Sequence, residues 1–287
     1  MKQVNFHQAE KTRMTLARNV DIRGNETIQE FIRGSLNTSS LIPILAPGEI
    51  HVWCLRDEIG DKLWQDFFLI LSHQERVKAN VFRRQRDRRR FIVRHGMLRI
   101  LMSHYVGVKP SRLTFTQGKY GKPNLRWPQI DGLNFSLSQT DGVALLSFAY
   151  ARAIGIDIEK ETEAFDFLTV GSEVFSDQEL LTLQECEGAS RKRRFFTMWT
   201  RKEAYLKALG FGFSIDPRQL TLLDAPQFGA ERFQLIQGPS PVYLRGLYDL
   251  NIEPGVKAAV AIEQQNTTIK LLRLTHGAKG APGIFID

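Results

Sequence analysis

Residues 153–160, AIGIDIEK, predict a β-strand whose two faces differ in chemistry. Side chains alternate across a strand, so the three isoleucines point together toward a core, while Asp157 and Glu159 point to the other side. Two carboxylates held side by side repel each other unless a cation or a shared proton lies between them. An ordinary half-exposed strand shows the same alternation, so the pair by itself leaves both a metal site and a solvated strand face open.

The segments around this strand indicate an internal duplication. Each copy has a leading strand, a long helix, a proline-containing turn with a strand, and a later strand introduced by a turn. These segments are residues 51–55, 90–105, 109–115 and 142–149 in the first copy, and 154–158, 195–209, 216–222 and 255–262 in the second. The order predicts an α+β fold of two similar halves, 49–152 and 153–287, after an N-terminal extension, 1–48. A cleft between two such halves is a common place for a ligand. Because the duplication supplies both sides of the cleft, we expect a monomer.

A third carboxylate candidate lies on the helix predicted within residues 195–213, FFTMWTRKEAYLKALGFGF. Trp199 fits a buried helical stripe, whereas Glu203 and Lys207 are four residues apart and share another face. An exposed ion pair of small energetic value explains this spacing. So does a site in which Glu203 is a metal ligand and Lys207 faces a phosphate, since Mg²⁺ prefers oxygen ligands and commonly keeps places for substrate phosphates.

Two loops supply further polar candidates. Residues 118–123, GKYGKP, place Lys122 on a glycine-flanked turn, and residues 135–140, FSLSQT, place Ser138 and Gln139 in a polar loop after a short strand. Glycines allow the backbone to approach a phosphate closely, and lysine supplies charge. Neither loop is specific by itself.

Positive charge is concentrated in residues 73–105. This segment holds nine arginines and Lys78 against two acidic residues, which accounts for the whole net charge of +8. Its apolar residues recur at helical spacing, which predicts one or two helices with a cationic face. Such a face is either a solvated surface or a site for a polyanion, with nucleic acid, a phosphorylated small molecule and an acidic protein all open.

Composition excludes several classes of protein. With 287 residues, 43% hydrophobic and 24% charged, the chain is neither disordered nor fibrous. Two cysteines exclude a disulfide framework, and no Cys or His cluster has zinc spacing. The sequence lacks an apolar run of the ~20 residues that a membrane helix needs, and its polar start lacks the apolar stretch of a signal peptide. We therefore expect a cytoplasmic protein that does not associate with membranes.

Four motifs in order, GKYGKPNL, NFSLSQ, GIDIEK and WTRKEAYLK, resemble the phosphopantetheinyl transferases of the surfactin-synthetase-activating (Sfp) type. The resemblance covers about residues 49–262. That family carries a Gly-Lys-Pro turn, an Asn-x-Ser-His loop, a Gly-Ile/Val-Asp-x-Glu strand and a Trp-x-x-Lys-Glu-x-x-x-Lys helix, and the last two motifs are intact here. The resemblance implies two α+β halves related by pseudo-twofold symmetry, with coenzyme A in the cleft between them.

The resemblance also implies a reaction. The expected enzyme is a 4′-phosphopantetheinyl transferase with holo-acyl-carrier-protein synthase activity. It transfers the 4′-phosphopantetheine arm of coenzyme A to a serine of an apo acyl or peptidyl carrier protein and releases adenosine 3′,5′-bisphosphate. Carriers of this kind serve fatty-acid, polyketide and nonribosomal peptide biosynthesis. They are acidic around the modified serine, so the basic segment could guide their docking.

Site residues follow from the same resemblance. Asp157, Glu159 and Glu203 are implied to bind Mg²⁺ with the pyrophosphate, and coenzyme A is implied to contact Lys78, Lys122, Ser138, Gln139 and Lys207. Lys78 is assigned to the 3′-phosphate, and a second basic contact of the family falls on Glu75 here. Glu203 and Lys207 are the catalytic candidates, with Glu203 as the base that takes the serine proton. Glu179 is a weaker candidate base, because residues 176–179 predict a helix capping box.

One departure from the motifs keeps alternatives open. The histidine of the family loop is Gln139, which can donate a hydrogen bond but never carries charge. An inactive scaffold of the same family is therefore one alternative. A nucleic-acid-binding module that uses the arginine-rich helix is another, although it leaves the three carboxylates unexplained. We accordingly expect a carrier protein and coenzyme A as partners, and no nucleic acid.

Overall fold

The computed structural model describes residues 42–56, 61–118, 121–151, 153–163, 166–210, 216–224, 233–237, 246–264, 267–276 and 282–286. Of the predicted N-terminal extension, residues 1–41 lie outside this range. The described residues fall into two compact units. One is helical and contains residues 61–114, and the larger one contains residues 45–56 and the described parts of 115–275.

The helical unit confirms that the arginine-rich segment forms helices. It consists of α1 (Asp61–Ile70), α2 (His73–Val81) and α3 (Gln85–Val106), followed by a 3-10 turn, Pro110–Arg112. Ser72 and Glu75 form a capping box that starts α2. Helices α1 and α3 pack tightly, because a Cβ atom on Gly96 would lie 2.5 Å from Cβ of Phe67. None of the helices in the described part of the chain is both long and apolar enough to cross a membrane.

The remaining helices and the strands, apart from the strand-end residues Thr114, His276, Pro282 and Gly283, build the larger unit. The strands are β1 (Glu49–Arg56), β2 (Thr114–Gln117), β3 (Pro123–Trp127), β4 (Leu133–Thr140), β5 (Val143–Tyr150), β6 (Ile154–Lys160), β7 (Thr221–Asp224), β8 (Phe233–Gln237), β9 (Gly246–Asp249), β10 (Val256–Ile262), β11 (Thr268–His276) and β12 (Pro282–Ile286). The helices are α4 (Phe167–Ser172), α5 (Asp177–Gln184) and α6 (Gly188–Leu209), and a 3-10 turn spans Pro217–Gln219.

Two sheets dominate this unit. The first has the strand order β12-β11-β1-β5-β4, with β1 parallel to β11 and antiparallel to β5. The second has the order β6-β10-β9, and its pairs are antiparallel. The predicted core face of β6 is confirmed, since Ile154, Ile156 and Ile158 are fully buried in a cluster with residues of β1, β5 and β10. Mixed helix and strand content confirms the α+β class.

The order of elements repeats along the chain. Strand β1, helix α3, a 3-10 turn, β2 and β5 are followed by β6, α6, a 3-10 turn, β7 and β10. Helices α3 and α6 have 22 residues each, and each ends at a glycine in the left-handed region, Gly107 or Gly210. The later strand of each set pairs antiparallel with its leading strand. A twofold symmetry between the sets, the cleft for coenzyme A and the division at residue 152 stay predictions.

Gly155 brings helix α6 against strand β6. A Cβ atom at this position would overlap the carbonyl oxygen of Ala204 and the amide nitrogen of Ala208, both in the backbone of α6. Only a glycine leaves room for so close an approach. As a result, the strand that carries Asp157 and the helix that carries Lys207 lie in direct contact.

Candidate active site

A buried polar cluster joins strand β4, strand β6 and helix α6. Asp157 is 2% exposed, and its Oδ1 accepts hydrogen bonds from Ser138 Oγ at 2.7 Å and from Lys207 Nζ at 2.5 Å. Lys207 Nζ also donates to Ser138 Oγ at 3.0 Å. The other carboxylate oxygen, Asp157 Oδ2, is buried without a hydrogen-bond partner among the described residues. Three residues predicted from separate motifs are therefore brought together.

Glu159 and Glu203 lie in the electrostatic field of this cluster. Burial and the nearby charge of Asp157 raise the pKa of Glu203 to about 7, although the Lys207 ammonium partly opposes the shift. Burial and Asp157 likewise raise the pKa of Glu159 to about 7, with a smaller contribution from Glu203. Both carboxyls are therefore poised to change protonation near neutral pH.

The donor chemistry of this region fits a hard divalent cation. Asp157, Glu159 and Glu203 offer the oxygen ligands that Mg²⁺ prefers, and Asp157 contributes an oxygen with no other partner. Repulsion by Asp157 contributes to the raised pKa values of both glutamates, and a cation among the three groups would remove that repulsion. Among the described residues, however, no group of three or more His, Cys, Asp or Glu side chains lies close enough together to hold a metal ion as the structure stands.

Trp199 adds a contact that the sequence analysis did not find. Its ring stacks on Phe195, with 5.7 Å between centroids, in agreement with the predicted helical stripe. Its indole N–H also donates a hydrogen bond to the Glu159 carboxylate. The signal for this role was the residue type itself, since tryptophan combines an apolar ring with a donor that needs a partner.

Comparisons with known proteins identify the family. The family model for the 4′-phosphopantetheinyl transferase superfamily matches residues 153–259. The chain is 35% identical over 172 residues to 4′-phosphopantetheinyl transferase HetI of Nostoc sp. (strain PCC 7120), which is 59% of this chain and 72% of that protein. The chain belongs to the 4′-phosphopantetheinyl transferase superfamily. It is therefore an enzyme of the transferase class.

Two further relatives of this transferase carry similar names. A phosphopantetheinyl transferase of Thraustochytrium sp. is 30% identical over 165 residues, covering 53% of this chain and 57% of the relative. The 4′-phosphopantetheinyl transferase Sfp of Bacillus subtilis (strain 168) is 27% identical over 194 residues, which cover 68% of this chain and 83% of the relative. These matches confirm the family that the four sequence motifs predicted. Asp157, Glu159, Glu203 and Lys207 fall within the range of the family model, whereas Lys78, Lys122, Ser138 and Gln139 precede it.

Lys122 of the transferase has contacts other than the expected phosphate. Its Nζ donates hydrogen bonds to the carbonyl oxygens of Ile154, at 2.8 Å, and Lys207, at 3.0 Å. Burial lowers the pKa of Lys122 to about 8. The ammonium thus fixes the turn before β3 against the start of β6 and the last turn of α6, which positions Lys207.

Gln139 and Lys78 lie outside the buried cluster. Gln139 is exposed and directly follows Ser138 on β4, so the two side chains point to opposite faces of that strand. Lys78 lies on α2 of the helical unit, with Nζ 5.6 Å from the centroid of the Phe91 ring. Contacts of these two residues with coenzyme A stay predictions.

Glu75 has a structural role in the helical unit. Beyond the capping box, its carboxylate accepts a hydrogen bond from Arg99 Nε at 2.8 Å and lies 3.2 Å from His95 Nδ1. Burial would raise the pKa of Glu75, but the bond with His95 and the charge of Arg99 lower it to about 2. The acidic residue at this family position therefore holds α2 on α3.

Glu179 is likewise engaged in structure. The predicted capping box is confirmed, since Ser176 and Glu179 exchange hydrogen bonds. Glu179 is fully buried, it lies 2.5 Å from Lys202 Nζ, and it accepts a bond from the Leu222 backbone N–H. Because its carboxylate is fully buried in these contacts, the structure does not favour Glu179, the weaker candidate base.

Proposed function

We propose that this transferase moves the 4′-phosphopantetheine arm of coenzyme A to a serine of an apo acyl or peptidyl carrier protein, with Mg²⁺, and releases adenosine 3′,5′-bisphosphate. The observation that carries the proposal is the buried Asp157–Ser138–Lys207 cluster with Glu159 and Glu203 beside it. Attack of a hydroxyl on a phosphate needs positioning and charge neutralisation more than covalent help. Carboxylates for a cation and an ammonium for the phosphate meet that need in one place.

Asp157, Glu159 and Glu203 would hold the Mg²⁺ ion. When bound, the ion would neutralise charge on the pyrophosphate of coenzyme A and on the leaving group. Lys207 supplies a second positive charge, since its ammonium lies at the same carboxylate and is partly exposed. Ser138 orients that ammonium through its hydroxyl and would lie beside the nucleotide phosphates.

Glu203 is the proposed general base. Proton transfer from a hydroxyl is most efficient when the pKa of the base is near the working pH. The raised pKa of Glu203, about 7, meets this condition, and the residue shares helix α6 with Lys207. We propose that Glu203 accepts the serine proton directly or through a bound water.

Coenzyme A would use charges in addition to this cluster. We propose that Lys78 binds the 3′-phosphate and that Gln139 donates a neutral hydrogen bond where the family has a histidine. Lys122 would contribute its charge, while its hydrogen bonds go to backbone carbonyls. The proposal includes a monomeric enzyme acting in the cytoplasm.

One incubation tests the proposed reaction. Coenzyme A, magnesium chloride and an apo carrier protein are mixed with the enzyme, and the carrier is weighed by mass spectrometry. We expect a gain equal to one phosphopantetheine arm, loss of that gain with EDTA, and release of adenosine 3′,5′-bisphosphate. An unchanged carrier mass, together with salt-dependent binding of DNA or RNA, would instead favour the nucleic-acid-binding alternative.

A further inference from the structure

Strands β4 and β6 lie against each other as edge strands of two different sheets. Strand β4 ends the order β12-β11-β1-β5-β4, and β6 ends the order β6-β10-β9. An edge strand presents backbone N–H and C=O groups that its own sheet leaves unpaired. Such groups need other partners where they are buried. The contacts between β4 and β6 therefore determine how the strand that carries Asp157 and Glu159 is held.

Hydroxyl groups of β4 supply these partners. Ser136, Ser138 and Thr140 are spaced two residues apart, so their side chains share one face of the strand. Ser136 Oγ accepts a hydrogen bond from the backbone N–H of Ile156 at 3.2 Å, and Thr140 Oγ1 accepts one from the N–H of Lys160 at 3.1 Å. Ser136 is 4% exposed, and Thr140 is half-buried. At both amides, a side-chain oxygen thus takes the place of a backbone carbonyl.

The two anchored amides enclose the candidate metal ligands. Ile156 directly precedes Asp157, and Lys160 directly follows Glu159. Both carboxylates therefore lie on the short segment of β6 between the two hydrogen bonds to β4. At its other edge, the same segment pairs with β10. The backbone that carries the two carboxylates is thus held from both sides.

We propose that Ser136 and Thr140 are positioning residues, which fix the separation and direction of the Asp157 and Glu159 carboxylates for a divalent cation. The inference rests on the proposed function, because it takes these carboxylates as ligands of Mg²⁺. This ion demands near-ideal octahedral geometry, so a small displacement of its ligands weakens binding. Groups that hold metal ligands in place commonly contribute roughly 10- to 100-fold to affinity. Each hydroxyl acts through the backbone of β6 and does not contact the ion.

The test removes the hydroxyls and measures Mg²⁺ binding apart from the reaction. Ser136→Ala, Thr140→Val and the double variant are compared with the unmodified protein by isothermal titration of magnesium chloride. We expect the dissociation constant of the double variant to be about 10-fold higher. Hydrogen exchange at the amides of Ile156 and Lys160, followed by nuclear magnetic resonance, should be faster in the same variant.

The transfer assay adds a kinetic readout. The Mg²⁺ concentration that gives the half-maximal rate should rise about 10-fold in the double variant, in step with the dissociation constant. At saturating Mg²⁺, kcat should stay within about 2-fold of that of the unmodified enzyme, because the ligands themselves are intact.

Two further variants are controls. Thr140→Ser keeps an oxygen that can accept from Lys160, so its affinity for Mg²⁺ should stay within about 2-fold of that of the unmodified protein. Ser147→Ala is the matched control, since Ser147 is a fully buried residue of β5 whose hydroxyl donates to the carbonyl oxygen of Ser136 at 3.4 Å. It removes a hydroxyl from the same sheet without freeing an amide of β6, and we expect a change of less than about 2-fold.

The outcomes separate this inference from the proposed function. If the double variant binds Mg²⁺ as tightly as the unmodified protein, the positioning role is wrong, and carrier loading by the unmodified enzyme still supports the function. Equal weakening in Ser147→Ala, or weakening that persists in Thr140→Ser, would also overturn the inference, because loosened packing would then explain the loss. If the unmodified protein binds no Mg²⁺, the proposed metal site fails and this inference fails with it. Circular dichroism verifies folding, and if the double variant unfolds, Thr140→Val alone decides by the same comparison.

Discussion

Lys207 directs its ammonium nitrogen to within 2.5 Å of Oδ1 of Asp157, a carboxylate that is almost completely buried. The two residues come from different elements, since Asp157 lies on strand β6 and Lys207 on helix α6. The pair balances one charge of a region that also contains Glu159 and Glu203. A divalent cation bound among the three carboxylates would balance the remaining negative charge.

Replacing Asp157 by asparagine should abolish transfer without unfolding the protein. Asparagine keeps the size and one oxygen that can accept from Ser138, but it removes the charge that holds Lys207. We expect kcat/KM to fall by at least about 100-fold. Glu163→Gln is the control, since Glu163 is an exposed carboxylate paired with Lys192. Activity near that of the unmodified enzyme in Asp157→Asn would contradict the proposed metal and phosphate site.

Local sequence patterns were sufficient to predict much of this site. Alternation along residues 153–160 separated the buried isoleucines from Asp157, and a spacing of four residues placed Glu203 and Lys207 on one helix face. Both patterns depend only on the period of a single element. The order of strands and helices in the two sets was predictable in the same way, because the sequence of each element shows its own strand or helix periodicity.

Contacts between distant segments were not predictable in this way. Nothing in the sequence near Lys122 shows that its partners are the carbonyl oxygens of Ile154 and Lys207, which are tertiary contacts. The hydrogen bond from Trp199 to Glu159 is of the same kind. For Gln139, the alternation argument applied to β6 also holds for β4, and it places Gln139 on the face opposite Ser138.

Gly155→Ala should destabilise the protein strongly. The added methyl group would overlap the backbone of α6 at Ala204, and backbone atoms cannot move aside as a flexible side chain can. We expect a loss of about 3 kcal/mol or more in the free energy of unfolding, measured with denaturant. Gly142→Ala is the comparison, because it has open space and a positive φ and should cost only about 1 kcal/mol. Equal losses in the two variants would show that the close approach of α6 is unimportant.

Stability in the absence of divalent cations should fall as pH rises from about 4.5 to about 7. The folded pKa of Glu159 and Glu203 is about 7, above the ordinary value of 4.5, so the folded state binds more protons than the unfolded state in this window. Deprotonation in the fold is disfavoured by burial and by Asp157. Unfolding by denaturant at several pH values measures the slope, and Glu159→Gln with Glu203→Gln should flatten it. A slope that the double variant leaves unchanged would mean that other groups cause it.

Magnesium should stabilise the protein more at pH 8 than at pH 5. At pH 8 the two glutamates are ionised and repel Asp157, whereas at pH 5 they are protonated and poor ligands. We expect a rise in the melting temperature with magnesium chloride at pH 8, reversed by EDTA and lost in Glu203→Gln. A shift of equal size at both pH values, or one that survives in Glu203→Gln, would place the ion elsewhere.

Lys78→Ala should weaken binding of coenzyme A more than binding of dephospho-coenzyme A, because only the former carries the 3′-phosphate. The exposed ammonium of Lys78 rests over the Phe91 ring, so its removal should leave α2 folded. Isothermal titration with the two ligands measures the difference, which we expect to be about 10-fold. The same loss for both ligands would show that Lys78 does not contact that phosphate.

Lys202→Met should destabilise the protein far more than Lys192→Met on the same helix. Lys202 is 1% exposed, and its ammonium donates to Glu179 and to the carbonyl oxygens of Val174, Pro217 and Leu220. Methionine would leave the Glu179 carboxylate buried without a cation, which costs about 3–5 kcal/mol.

Lys192 forms an ion pair with an exposed glutamate, so its replacement should cost less than about 1 kcal/mol. Because Lys202 directly precedes Glu203, we expect Lys202→Met to lower kcat as well as the free energy of unfolding. Denaturant unfolding and the transfer assay measure the two effects. If Lys202→Met unfolds as readily as Lys192→Met, the buried pair does not anchor α6. A normal kcat in Lys202→Met would show that Glu203 is positioned independently of that pair.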